Sequence, residues 1–177
     1  MAKKRTRIKT YRNVKFIDDF IDLYKKARHN NRLPRKAIKV MVPFLFPGAK
    51  FLGKGFYKIA FYIPLGKRKF VLKFSHSKHL GQDFKVYYRI PENIRNRYFA
   101  KIYWDSKKDR PKYCILQKYA KQPNTRKKRK NLINNPKFIK LKALAKKCKI
   151  TDIRPDNVGF VDNKLKILDA SLKSGKN

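Results

Sequence analysis

The chain is expected to fold as an α+β protein. Residues 51–74 hold three short segments of alternating apolar residues joined by turn residues, while the segments on either side follow the 3.6-residue helical period. Two more alternating segments at 98–104 and 113–119, with a helical stretch at 80–88 inserted after the third strand, complete a five-stranded antiparallel sheet. At 177 residues the chain has room for one domain, or for two small lobes sharing a cleft.

The elements follow in order. Phe16, Ile17, Phe20, Ile21 and Tyr24 recur at helical spacing. Asp18, Asp19 and Asp22 come before Lys25, Lys26 and Arg28, a charge order that suits a helix macrodipole. A second helix is expected at 34–42, closed by Pro43 with Pro47-Gly48. The strands at 51–55, 57–63 and 69–74 form a meander, the last two joined by the Pro64-Leu65-Gly66-Lys67 turn. Residues 121–135 are read as a solvated loop, because Arg126 to Lys130 is an unbroken run of positive charge that repels itself. Phe138, Leu141, Leu144 and Ala145 mark a helix, and 158–161 with 165–168 form a hairpin about Asp162-Asn163.

Charge is the dominant compositional feature, with 49 Lys and Arg against 11 Asp and Glu for a formal net charge of +38. A surface of this sign attracts polyanions, so nucleic acid, ribosomes and acidic membranes are possible neighbours, and incidental lysine enrichment is the alternative. The 42% hydrophobic content excludes a disordered basic tail. Cys114 and Cys148 form no paired motif and are read as reduced thiols, and His29, His76 and His79 offer no triad or zinc cluster. The basic arm 1–12 lacks the apolar core of a secretory signal, and no apolar run reaches membrane-spanning length. A soluble, cytoplasmic protein is expected.

Phosphoryl transfer requires a backbone cradle for phosphates, a lysine on their oxygens, oxygen ligands for magnesium, and a carboxylate beside the attacking hydroxyl. Candidates occur in that order. Leu52-Gly53-Lys54-Gly55-Phe56-Tyr57-Lys58 lies between the first two strands, where small glycines let backbone amides approach a phosphate. Phe70-Val71-Leu72-Lys73 ends a strand on a lysine. Thr151-Asp152-Ile153-Arg154-Pro155-Asp156-Asn157-Val158 is followed, beyond the hairpin, by Leu168-Asp169-Ala170. Acids are scarce in this chain, so their gathering at Asp152, Asp156 and Asp169 stands out from the composition.

The last two segments resemble the catalytic loop and metal-binding strand of the protein kinases in order and spacing, and Lys73 resembles the lysine of the kinase third strand. The resemblance covers roughly residues 51–172. It implies a two-lobed kinase-like fold with two helices ahead of it at 1–50, an N-lobe at 51–120, a hinge about Gln117 to Ala120, and a minimal C-lobe at 121–177. It implies Asp152 as the catalytic carboxylate, Arg154 and Lys73 on the phosphates, and Asn157 with Asp169 on magnesium. Gly53, Gly55, Lys58, Gln117 and Tyr119 would line the ATP site, and Asp83 would pair with Lys73 where the family carries Glu. The only Glu in the chain, Glu92, falls beyond Pro91.

The sequence also departs from the kinase pattern. Lys58 replaces the third glycine, Ile150-Thr151 replaces His-Arg, and Ala170-Ser171 replaces Phe-Gly. The implied activity is ATP- and magnesium-dependent transfer to a protein hydroxyl of the Ser/Thr type, with small-molecule and nucleic-acid acceptors open. The alternative is a catalytically weak kinase-like adaptor or nucleotide sensor that binds nucleic acid or another polyanion. The two N-terminal helices, 16–24 especially, could supply apolar cover for the fold or an interface for another copy.

Overall fold

The computed structural model describes residues 2–27, 34–55, 58–75, 79–103 and 113–172. The chain divides into two compact units, one of residues 1–80 with 102–117 and the other of residues 81–101 with 118–177.

In the first unit, helices α1 (Ala2–Ala27) and α2 (Arg35–Leu45) precede a four-stranded sheet of order β1-β2-β3-β4. Its strands are β1 (Lys50–Lys54), β2 (Lys58–Leu65), β3 (Arg68–Ser75) and β4 (Cys114–Lys118). β1–β2 and β2–β3 pair antiparallel. Alternation along the strands buries Ile59, Phe61 and Ile63 of β2 and Phe70, Leu72 and Phe74 of β3. Val14, Ile17 and Ile21 of α1 and Ile38 and Val42 of α2 join them in one core. The two helices thus supply an apolar layer for the sheet.

The acids of α1 have a different role from the one expected. The helix begins at Ala2, so Asp18, Asp19 and Asp22 fall in its C-terminal half, where the macrodipole disfavours them. Asp18 Oδ1 instead accepts from the Tyr113 backbone N–H at 2.6 Å, and Asp22 Oδ1 accepts from the Tyr113 hydroxyl at 3.1 Å. These bonds tie α1 to the start of β4. Pro43 lies inside α2, and the chain turns only at Gly48, whose φ of +81° suits a residue without Cβ.

The expected fourth strand of five is absent as a strand. Residues 92–98 form helix α4 (Glu92–Tyr98), entered from Pro91 at φ −50°. The residues that follow divide their hydrogen bonds between two neighbours. Ala100 N donates to Ile167 O, whereas Tyr103 N donates to Leu116 O and Lys101 O accepts from Lys118 N. Only isolated bridges form, Phe99 with Ile167 and Ile102 with Gln117, and Trp104 lies outside the described residues.

The second unit contains most of α3 (His79–Arg89), then α4, α5 (Arg126–Ile133) and α6 (Pro136–Lys147). Two small antiparallel pairs complete it, β5 (Ile150–Thr151) with β8 (Ser171–Leu172) and β6 (Val158–Val161) with β7 (Lys164–Ile167). The expected loop at 121–135 is thus corrected to a helix over its second half. Thr125 Oγ1 accepts from Lys128 N at 3.2 Å, capping the helix, and Leu132 is buried. Winding also splays the cations over the exposed side, and Arg129 Nη1 meets Asp156 Oδ1 at 2.7 Å. The β6–β7 turn is the expected one, with Asp162 and Asn163 at φ +50° and +59° as a type I′ turn requires.

Among the described residues, no helix is long and apolar enough to cross a membrane.

Candidate functional site

The residues of the second unit that carry the chemistry lie around Asn157. β5 delivers the chain to Asp152, which adopts φ +65°, a left-handed conformation uncommon for a residue with a Cβ. The tight course continues through Arg154 N to Asp152 O at 3.1 Å and Asn157 N to Arg154 O at 2.9 Å, closing a 3-10 turn over Pro155–Asn157. Pro155 suits its first position because it has no N–H to leave unpaired. Ile153 is buried between these polar residues and anchors the loop.

Asn157 is itself buried and holds three segments together. Its Nδ2 donates to Asp152 O at 2.7 Å and to Asp152 Oδ2 at 2.9 Å. Its backbone oxygen accepts from Leu168 N at 2.8 Å and from Asp169 N at 3.3 Å. The hairpin therefore brings Asp169, half-buried, back beside Asn157 across twelve positions of sequence. Buried polar atoms are costly to leave unmatched, so this network fixes the loop as well as decorating it.

The donor set suits a hard cation. Nδ2 of Asn157 is committed to Asp152, no hydrogen bond to its Oδ1 is formed among the described residues, and its backbone oxygen accepts from the Asp169 N–H. An amide oxygen and a carboxylate match magnesium, which takes one or two protein ligands and completes its shell with phosphate oxygens and water. Among the described residues, no three His, Cys, Asp or Glu side chains gather as an all-protein metal cage.

Arg154 lies on the Asp152 carboxylate, with Nε to Oδ1 at 2.7 Å and Nη2 to Oδ2 at 3.3 Å. Both oxygens of Asp152 thus have a protein donor. Asp156, one residue before Asn157, faces away from this network, pairing with Arg129 while its backbone oxygen accepts from Gln122. Gly159, absent from the sequence-based candidates, is tightly packed. A Cβ there would stand 3.0 Å from Ala120 Cβ and 3.2 Å from Lys121 O. A lone glycine in a short strand was the available signal.

In the first unit, Lys73 is buried on β3 opposite Ala60, on the strand face away from Leu72 and Phe74. Gly53 and Gly55 bracket the end of β1, and Gly55 N donates to Lys58 O at 2.8 Å. That amide is used within the hairpin. A Cβ on Gly53 would meet nothing within 4 Å, and Phe56 and Tyr57 lie outside the described residues. Gln117 is buried at the end of this unit. Tyr119 is half-buried in the second unit, which also holds Asp83, buried on α3. His29 and His76 lie outside the described residues.

Cys114 is fully buried, and burial pushes its thiol well above the usual range, with Asp18 acting in the same direction. It is inert core, as expected of an unpaired thiol.

No family model matches this sequence, and no curated protein matches it. Among solved structures, the chain is similar to kinase domains. One is the kinase domain of PF14_0431, at 13% identity and a TM-score of 0.48, covering 72% of this chain and 52% of that one. Another is the kinase PK-1 of the Cydia pomonella granulovirus, at 18% identity and a TM-score of 0.44, covering 78% of this chain and 60% of that one. The chain thus matches between half and three-fifths of the length of these two.

Proposed function

We propose that the protein is an ATP- and magnesium-dependent phosphotransferase acting on a protein hydroxyl of the Ser/Thr type. The observation that supports this reading is the network in which Asn157 Nδ2 holds the Asp152 carboxylate while the Asn157 backbone oxygen accepts from the Asp169 N–H. Two carboxylates and an amide oxygen are what in-line transfer of a phosphoryl group requires of a protein.

In this reading Asp152 orients the acceptor hydroxyl and takes its proton as the oxygen bonds to the γ-phosphorus. The bond from that phosphorus to the β–γ bridging oxygen breaks, and ADP leaves. Asn157 Oδ1 and the Asp169 carboxylate would hold magnesium, whose charge offsets that of the phosphate oxygens. Arg154, now on Asp152, is long enough to keep that contact while its remaining N–H groups face a phosphate. By the kinase resemblance Lys73 would contact the nucleotide phosphates, Asp83 would pair with Lys73, and Gly53, Gly55, Lys58, Gln117 and Tyr119 would line the nucleotide site.

A second reading, a kinase-like adaptor with little turnover, has one observation in its favour. Arg154 occupies both oxygens of Asp152, so an acceptor hydroxyl has to displace that contact to reach the carboxylate. Incubation of the purified protein with γ-labelled ATP and magnesium, alone and with cell lysate, separates the two. Label on protein supports the transferase, and nucleotide binding without transfer supports the adaptor.

A further inference from the structure

We propose that the helical pair α5–α6 is a binding surface for the phosphodiester backbone of nucleic acid, independent of phosphoryl transfer. The proposal starts from a local extreme in an already basic chain. Residues 119–151 contain ten lysines, two arginines and no acidic residue. Both helices of this segment belong to the second unit and pack on each other.

The structure shows what becomes of these charges. Arg129 alone among the twelve is paired with a carboxylate among the described residues, that of Asp156. The others are exposed. On α6, burial of Phe138, Leu141 and Ala145 leaves Lys140, Lys142, Lys146 and Lys147 fanned over the solvent side. On α5, Arg126, Lys127 and Lys128 occupy the first turn, and neither helix has an acid in its first turn. Cations there oppose the macrodipole as well as one another, so the fold carries an electrostatic cost that a bound polyanion would relieve.

The spacing favours a nucleic acid over other anions. α6 is about 18 Å long at 1.5 Å per residue, and a duplex presents about ten phosphates over that length. An acidic bilayer is a poorer match, because the large apolar side chains of α6 face inward, leaving Ile133 and Ile139 as isolated exposed apolar residues among the cations. Lysine side chains without a planar, bidentate partner grip phosphates as point charges, so binding is independent of base sequence.

The test is fluorescence anisotropy of the full chain with a labelled mixed-sequence DNA duplex of about 20 base pairs, and with a single-stranded RNA of similar length. Binding is expected at about 50 mM salt and should weaken roughly 10³-fold by about 200 mM if about six phosphates are neutralised. The two probes decide whether duplex, single strand or both are bound, each outcome supporting the surface.

Changing Lys140, Lys142, Lys146 and Lys147 together to Gln should weaken binding by more than about 10²-fold at low salt and reduce the salt slope by about three to four. The matched change of exposed Lys36, Lys50, Lys67 and Lys69 in the first unit should leave that slope nearly intact. Changing Arg126, Lys127 and Lys130 to Gln repeats the test on α5 should the α6 variant fail to fold. No binding at low salt, a flat salt dependence, an equal loss in the matched variant, or capture by phosphatidylserine vesicles but by neither nucleic acid would overturn the proposal.

Discussion

Asn157 Nδ2 holds Asp152 twice, at its backbone oxygen and at its carboxylate. One amide therefore fixes both the left-handed backbone of Asp152 and the direction in which its acid points.

Replacing Asn157 by Ala removes both bonds and leaves the Arg154 N–H as the donor to Asp152 O. Stability should fall by about 1–3 kcal/mol, read as a lower melting temperature. Asn157→Asp tests the same contact by charge. It sets a second carboxylate about 3 Å from Asp152, so one of the two must hold its proton more tightly than in the unfolded chain. A group with a raised folded pKa stabilises below its unfolded value and loses that contribution as pH rises. The Asp variant should accordingly recover toward wild-type melting near pH 4 and be destabilised at pH 7, whereas a pH-independent deficit would show that charge is not the cause.

Gly159→Ala should cost about 1–3 kcal/mol through overpacking, because its Cβ would meet Ala120 and the Lys121 backbone. Gly53→Ala, with open space around the new Cβ, is the control and should leave the melting temperature within about 2 °C. Equal effects at the two glycines would contradict the packing described around β6.

Much of the fold was legible because period and punctuation agreed. The alternation in β2 and β3 and the Asp162-Asn163 turn each have a local cause that a sequence displays. What was missed depends on partners distant in sequence. The run from Arg126 reads as a loop by charge alone, and its helix becomes intelligible only with the Thr125 cap, buried Leu132 and the Arg129–Asp156 pair. The segment after Tyr98 has strand-like residues but shares its hydrogen bonds between Ile167 and β4, so no ladder forms. At the site, the loop's residue types were readable, while the Asn157 network and the placement of Arg154 on Asp152 were not.

Tyr113 supplies a pH test in the first unit. Burial, then its bond to Asp22 and the charges of Asp22 and Asp18, push its hydroxyl up to about 12 from the ordinary 10.0. The folded state keeps a proton that the unfolded chain loses, so stability is full below about pH 10 and declines as pH rises toward about 12. Tyr113→Phe should remove this component, giving a shallower loss of melting temperature between about pH 10 and 12. An unchanged slope would show that other groups govern alkaline unfolding.

Lys166 is buried, and its ammonium donates to Asn96 O and Arg97 O at 2.7 Å each, capping the end of α4. Burial lowers its pKa, with Lys164 adding to the effect, so raising pH toward the ordinary lysine range should unload it in the folded state first. Lys166→Met keeps the apolar stem and strands two carbonyls. A loss of about 1–3 kcal/mol, measured by chemical denaturation at pH 7, is expected.

The most direct test of the phosphotransferase reading is single-turnover transfer from γ-labelled ATP, compared between the wild-type chain and Asp152→Asn. The substitution keeps the shape of the side chain and removes the proton acceptor. The wild-type chain should transfer label, and the variant should do so about 10² to 10⁴ times more slowly with ATP affinity nearly unchanged. No transfer by the wild-type chain, or transfer by Asp152→Asn at the wild-type rate, would contradict the account.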